Sequence, residues 1–147
     1  MISSEIQTSS WKTSAHATLH CLIGCSIGEV LGLMIGVSLV IGVFWTVVLA
    51  VFLAFVVGIS LAVIPIIKDK GLSLKDALKI VWIGEVISIS VMEFAMNAMD
   101  LSVGGLDVST IWAIPFWIGI ALAIPAGYLA AWPVNHFLLI KHLKSCH

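Results

Sequence analysis

The residues best suited to chemistry in this sequence are two cysteines and a glutamate spaced four apart. Cys21, Cys25 and Glu29 stand in an otherwise apolar or small-residue stretch, directly after His20. At 100° per residue, Cys21, Cys25 and Glu29 fall within about 80° on one helix face. Thiolate and imidazole are ligands that copper and zinc favour, so the spacing predicts a metal site. His20 points about 100° away from Cys21, so the two could chelate one ion only with a ligand from another helix.

A second polar stretch lies later in the chain and forms two adjacent helical stripes. The residues of the two stripes are Glu85, Ser88, Met92, Met96 and Met99, and beside them Glu93, Asn97 and Asp100. The thioethers add soft ligands for Cu(I). The chain has no Arg and has no Lys between Ile80 and Ile140, so the acids lack a nearby basic partner. These acidic side chains must therefore be neutral, be paired with a metal or a histidine, or receive hydrogen bonds or a countercharge from another subunit.

Each of these residues also has a purely structural interpretation, which the sequence leaves open. Cysteine can act as a small apolar filler at a tight helix contact, and methionine as a gap filler. A neutral glutamate can hydrogen-bond across helices, and Asn135 can mend the backbone bond broken by Pro133. A disulfide between Cys21 and Cys25 is not expected, because one helical turn gives a poor disulfide geometry.

The composition restricts the class of protein. Of the 147 residues, 61% are hydrophobic and 10% are charged, whereas a soluble domain is about one-quarter charged. A chain of this size cannot bury so much apolar surface in water. A soluble enzyme, a nucleic-acid binder and a disordered chain are therefore disfavoured, and membrane lipid is the expected surrounding. No phosphate loop, nucleophile elbow or zinc-protease motif is present, so we do not expect an enzyme.

The apolar segments predict an all-α integral membrane bundle of four transmembrane helices. The predicted spans cover residues 16–38, 43–67 and 75–98, with a fourth within 111–140. Ser73 is expected to cap the third helix, with Asp76 three residues later. We predict a polar N-terminal segment at 1–15, a transmembrane domain at 16–140 and a tail at 141–147. Residues 1–15 lack an apolar core, so no cleavable signal peptide is expected.

The lysines indicate how the bundle is oriented. With four spans, all seven lysines fall on the side of the two termini and the second connection, whereas the first and third connections carry none. The positive-inside rule therefore predicts a multi-pass protein of the cell membrane with both termini in the cytoplasm.

Small residues recur every four positions along the first span, and these are Gly24, Gly28, Gly32 and Gly36. A groove of this kind allows another helix to approach closely. Because the thiols and Glu29 belong to the same predicted face, they are expected to point at a helix and not at lipid.

The tail carries Cys146 and His147, which are expected to be solvated, with metal scavenging as the weaker alternative.

Three blocks of this chain resemble a prokaryotic membrane family known as domain of unknown function 4396. The first and most specific block runs from His20 to Gly32, and the others are Ser88–Asn97 and Ala131–Asn135. The resemblance extends from Trp11 to Ile140. It implies a small four-helix membrane protein, and it implies a link to copper because some members occur beside or fused to copper proteins. The family usually has Asp where this chain has Glu85 and Met96.

Two functional hypotheses follow. The first is a membrane protein that binds or moves a transition metal, copper or else zinc, between spans 1, 3 and 4. Its predicted metal-site residues are His20, Cys21, Cys25, Glu29, Glu85, Met92, Glu93 and Asn97. The second is an accessory subunit of a larger membrane complex, such as a copper-dependent oxidase or monooxygenase. In either case we expect a homo-oligomer or a partner subunit; a membrane enzyme with a bound redox metal is the weakest alternative.

Overall fold

The computed structural model describes residues 2–142, with side chains from residue 10 onward. It contains four α-helices and, within that range, no strand: α1 (Ile2–Leu39), α2 (Val43–Lys70), α3 (Leu74–Ser102) and α4 (Ile114–Ile140). The predicted all-α class and the number of helices are confirmed.

The helices form an antiparallel ring in which each packs against the next and α4 returns to α1. Contacts at Gly58–Ile89 and Gly127–Met96 join α2 to α3 and α3 to α4. Only a short diagonal contact joins α1 to α3. We call the end of the bundle with residue 10, residue 142 and the α2–α3 turn the termini end, and the opposite end the loop end.

Three of the helices are long and apolar enough to cross a membrane, namely Ser10–Leu39, Val43–Lys70 and Ile114–Ile140. Helix α3 is of similar length, with 29 residues, but it carries most of the buried acids. Helix α3 lies alongside α2 and α4. The helices could therefore span a membrane, which is consistent with a multi-pass membrane protein.

Local sequence signals account for most helix ends. Helix α2 ends at Gly71, which has φ 61°, a left-handed conformation that glycine adopts without strain. Ser73 then caps α3, because its Oγ accepts a hydrogen bond from the Asp76 amide at 3.3 Å. Helix α1 differs from the prediction at its start. It begins at Ile2 and not near residue 16, so the polar N-terminal residues continue the helix.

The glycines of α1 face α2. A Cβ added at Gly24 would lie 3.1 Å from the Gly58 Cα, and one at Gly36 would lie 2.6 Å from the Thr46 Cγ2. Gly28 and Gly32 meet the α2 backbone even more closely, at Leu53 and Ala50. The predicted close helix approach is confirmed, and it occurs within one chain, between α1 and α2.

Candidate functional site

Two thiols lie at the centre of the bundle. The Cys21 Sγ and the Cys25 Sγ are 3.9 Å apart, and the Cys21 Sγ is 3.7 Å from the Ser88 Oγ of α3. Cys25 is fully buried, and its sulfur faces Gly58 of α2. Neither Cys21 nor Cys25 forms a disulfide bond, in agreement with the prediction. Consecutive turns of α1 thus present two sulfur atoms to the α3 side of the core.

Thioethers belong to the same apolar cluster as the thiols. Met92 and Met96 of α3 are fully buried in the cluster that contains Cys21 and Cys25. Gly127 makes room for them on α4, since a Cβ there would lie 2.8 Å from the Met96 Sδ. The core around the thiols is therefore rich in soft, polarisable sulfur.

A file of buried acids runs from the thiols toward the loop end. Cys25 interacts electrostatically with both Glu85 and Glu93. Glu93 in turn interacts with Glu29 of α1, and Glu29 interacts with Asp100. The structure therefore brings these predicted residues of α1 and α3 into one connected series.

Glu93 and Asn97 form a hydrogen-bonded pair on adjacent turns of α3. The Asn97 Nδ2 donates to the Glu93 backbone carbonyl at 2.9 Å and to its Oε2 at 3.4 Å. The Glu93 Oε1 and the Asn97 Oδ1 are buried and lack a donor within the described chain. The Asn97 amide nitrogen thus donates within the pair, and one oxygen of each side chain is left without a donor among the described residues.

Asp100 is a member of this file that was not among the predicted metal-site residues. Its side chain is 1% exposed, and neither carboxyl oxygen has a hydrogen-bond partner among the residues that the structure covers. The Oδ1 lies where a Cβ of Gly105 or Gly119 would be. Gly105 and Gly119 thus leave a space for this oxygen, which we call the glycine notch. In the sequence, the notch is indicated by Gly104-Gly105 shortly after Asp100 and by Gly119 on the next helix.

His20 lies apart from the other predicted ligands. Its side chain is exposed, and its Nε2 is 3.4 Å from the Leu61 carbonyl oxygen of α2. Across residues 10–142, no group of three His, Cys, Asp or Glu side chains is arranged to hold a metal ion. The structure therefore does not bring His20 together with the thiols.

A separate polar seam joins α1 and α4 near the termini end. The Asn135 Nδ2 donates to the Thr18 Oγ1 at 2.8 Å, and Thr18 donates to the Ser14 carbonyl at 2.7 Å. The Trp132 Nε1 donates to the Ser14 Oγ at 3.1 Å. Asn135 therefore links two helices, a role beyond the predicted repair of the α4 backbone.

His136 completes this seam. Its ring stacks on Trp11 with centroids 3.7 Å apart and an interplanar angle of 11°. The sequence analysis did not identify Ser14 and Thr18 as partners of Asn135. Their spacing of four residues on α1 is the pattern that could have indicated a polar face there. The predicted tail residues Cys146 and His147 lie outside the described residues.

Comparisons with known proteins give one match. The model of a domain of unknown function (DUF4396) matches residues 10–144, which agrees with the resemblance seen from Trp11 to Ile140. No curated protein and no solved structure matches the chain. With all but a few terminal residues matched, the chain belongs to the DUF4396 family.

Proposed function

We propose that this protein binds cuprous copper inside the membrane, at the thiol pair Cys21 and Cys25, and hands the ion along the bundle. The observation that carries the proposal is the 3.9 Å separation of two buried sulfur atoms on one helix.

The sulfur spacing suits one shared ion. Two thiolates each about 2.3 Å from a metal, at a tetrahedral angle, lie about 3.8 Å apart. The pair therefore needs little movement of α1 to bind. Ser88 lies beside Cys21 and can orient its sulfur, which is 3.7 Å from the hydroxyl.

The donor set favours copper over zinc. Structural zinc sites take four nitrogen or sulfur ligands, commonly from Cys and His. Cu(I) accepts thiolates and thioethers, and Met92 and Met96 share the apolar cluster with the thiols. The soft surroundings therefore support a monovalent ion with sulfur ligands.

The acids support movement of the ion as well as binding. Glu93, Glu29 and Asp100 interact in series on the way to the loop end. Ionisable groups inside a membrane are costly and commonly mark ion pathways. Carboxylates in this series would balance the charge of an ion that leaves the thiols.

A chain this short is expected to work with further copies or with a partner subunit. The α1 glycines are covered by α2, so an association between chains would use another face. We propose a homo-oligomer in the cell membrane, with both termini cytoplasmic.

Copper binding can be tested with detergent-purified protein under anaerobic conditions. Cu(I) is titrated in competition with a chromophoric Cu(I) chelator. We expect one tightly bound ion per chain, and we expect the double variant Cys21→Ser with Cys25→Ser to lose it. Cys146→Ser is the matched control, because it removes a thiol outside the pair and should bind as the unaltered protein does.

X-ray absorption at the copper edge provides a check that does not depend on variants. A first shell of sulfur atoms is expected. A shell of nitrogen and oxygen alone, or equal binding by the double variant, would overturn the proposal and favour an accessory role in a larger complex.

A further inference from the structure

A groove opens on the outer side of the bundle between α2 and α3, in the half nearest the loop end. Its volume is about 440 Å³, and it is lined by Val47, Val51, Phe55, Ser90, Glu93, Phe94, Asn97, Ala98 and Leu101. Phe94 is 79% exposed, so the groove faces the lipid. A mostly apolar cleft of this size with a few polar groups is typical of a small-molecule site.

The polar residues of the groove have acceptors to offer. Glu93 and Asn97 are at least nine-tenths buried, with 3% and 7% of their surfaces exposed. The Asn97 amide nitrogen is engaged by Glu93, which leaves the Glu93 Oε1 and the Asn97 Oδ1 without donors in the described part of the chain. When Glu93 is ionised, both of these atoms are acceptors, so a ligand that satisfies the pair must donate hydrogen bonds.

The groove lies beside buried acids that have no basic side chain near them in the sequence. Glu29 lies within electrostatic range of Glu93 and of Asp100, and all three side chains are buried. The sequence has no Arg and has no Lys between Ile80 and Ile140. A positively charged ligand would supply the missing countercharge.

We propose that the groove binds a lipid-soluble amine in its protonated form, with the ammonium at Glu93 and Asn97. The N–H groups donate to the Glu93 carboxylate, which lines the groove, and the hydrocarbon body lies along Val47 and Val51. Phe94 can contribute a cation–π contact at the mouth. The amine site shares Glu93 with the proposed ion path but uses neither thiol as a ligand, and Glu93 lies about 7.5 Å along α3 from Ser88, the neighbour of Cys21.

Related compounds separate the parts of this recognition. An alkyl alcohol donates one hydrogen bond but has no charge. A quaternary ammonium has the charge but no N–H group. We therefore expect a primary alkylamine to bind more tightly than an alkyl alcohol or a quaternary ammonium compound of the same chain length.

Binding can be measured with metal-free, full-length protein in zwitterionic nanodiscs, using tritiated dodecylamine and subtracting the signal of empty nanodiscs. We expect saturable binding of one amine per chain, displaced weakly by dodecanol and by dodecyltrimethylammonium. Glu93→Gln should weaken binding by about tenfold or more, as expected for loss of a charge-assisted hydrogen bond. Asp107→Asn removes an exposed carboxylate outside the groove and is the matched control with unchanged affinity.

Ala98→Trp tests the site without disturbing the core, because Ala98 is exposed and lines the groove. The indole should fill the cleft and abolish saturable binding. Unchanged binding by this variant, or displacement by dodecanol as effective as by unlabelled amine, would overturn the proposal. The Cys21→Ser, Cys25→Ser variant should bind dodecylamine normally, so failure of the copper proposal is distinguished from failure of this one.

Discussion

Polar side chains inside this bundle fall into two chemically different groups. In the seam between α1 and α4, Asn135, Thr18 and Ser14 meet donor to acceptor. In the acid file, several carboxyl and amide oxygens have no donor among residues 10–142. A buried polar atom without a partner costs about 1–3 kcal/mol. The seam therefore stabilises the bundle, whereas the unpartnered oxygens of the file reduce its stability.

The seam leads to a prediction about stability. Thr18→Val keeps the size of the side chain but removes the acceptor of the Asn135 amide. We expect the free energy of unfolding to fall by about 0.5–1.5 kcal/mol, the range measured for hydrogen bonds between membrane helices. Reversible unfolding of the detergent-solubilised protein by a denaturing detergent, followed by circular dichroism, would measure the change.

Ser60→Ala is the matched control for this prediction. Ser60 is exposed and donates only within its own helix, to the Val56 carbonyl at 2.6 Å. Removing its hydroxyl should leave the stability within about 0.5 kcal/mol of the original. Equal losses from Thr18→Val and Ser60→Ala would contradict a stabilising role for the seam.

At this scale the sequence predicts which residues are buried and polar, but not which of them meet. Cys21, Cys25, Glu29 and Glu93 were expected to point inward, and all four are buried. His20 was expected to join them, but α2 passes beside it and offers the Leu61 carbonyl. The direction of a residue at the edge of the polar face depends on which helix lies there, and spacing along one helix does not contain that information.

The first helix shows how one element can have two functions. Its glycines contact α2 at Gly58, Ala50 and Thr46, while its thiols face the core beside Ser88 of α3. In a membrane, close backbone approach replaces the hydrophobic effect as a main source of helix association. The glycine contact therefore fixes the axial position of α1, and this position places the thiols.

A larger side chain at the glycine contact should separate α1 from α2. In Gly32→Val, the new Cβ would lie 2.7 Å from the Ala50 backbone nitrogen, which a rigid backbone cannot accommodate. We expect a loss of about 1–3 kcal/mol in unfolding free energy, typical of overpacking. The same denaturing titration would measure it, with lower copper affinity as a second consequence of displaced thiols.

Ala121→Val is the control for Gly32→Val. It adds bulk at an exposed position of α4, where the side chain meets lipid and not another helix. Its unfolding free energy should be nearly unchanged. If Gly32→Val were as stable as Ala121→Val, the α1–α2 contact would not be the constraint inferred here.

Helix ends were predicted well wherever a local chemical signal exists. Ser73, Asp76 and Gly71 define the α2–α3 turn in sequence and in structure. The start of α1 was not predicted, because the polar residues before residue 16 lack the apolar period from which a span is recognised. These polar residues can still form helical turns, because the α1 turns that follow them are held in place by packing against the other helices.

In the whole molecule, the chemical groups are arranged by depth. The satisfied seam lies near the termini end, the thiol pair lies near the middle, and the acid file continues to Asp100 and its glycine notch at the loop end. The groove between α2 and α3 opens beside this file. Most of the acids thus lie on the loop-end side of the thiols, while Glu85 lies about one turn of α3 toward the termini end from Ser88. This uneven distribution gives the molecule a polarity along its axis.

The direction of that polarity depends on how the bundle is inserted. Between residues 10 and 142, the six lysines are all near the termini end, whereas residues 40–42 and 103–113 contain none. Basic residues are retained on the cytoplasmic side during insertion. We therefore expect the acid file to end near the outer surface.

Cysteine labelling of intact cells would test this orientation. In a Cys146→Ser background, Asp107→Cys places a thiol in the exposed α3–α4 loop, and Asp69→Cys places one in the exposed last turn of α2. Because the lysines should hold the termini end in the cytoplasm, a membrane-impermeant maleimide should label Asp107→Cys at once but label Asp69→Cys only after permeabilisation. The buried thiols of Cys21 and Cys25 provide the unreactive baseline. The reverse labelling pattern would place the end of the acid file on the cytoplasmic side and contradict the predicted orientation.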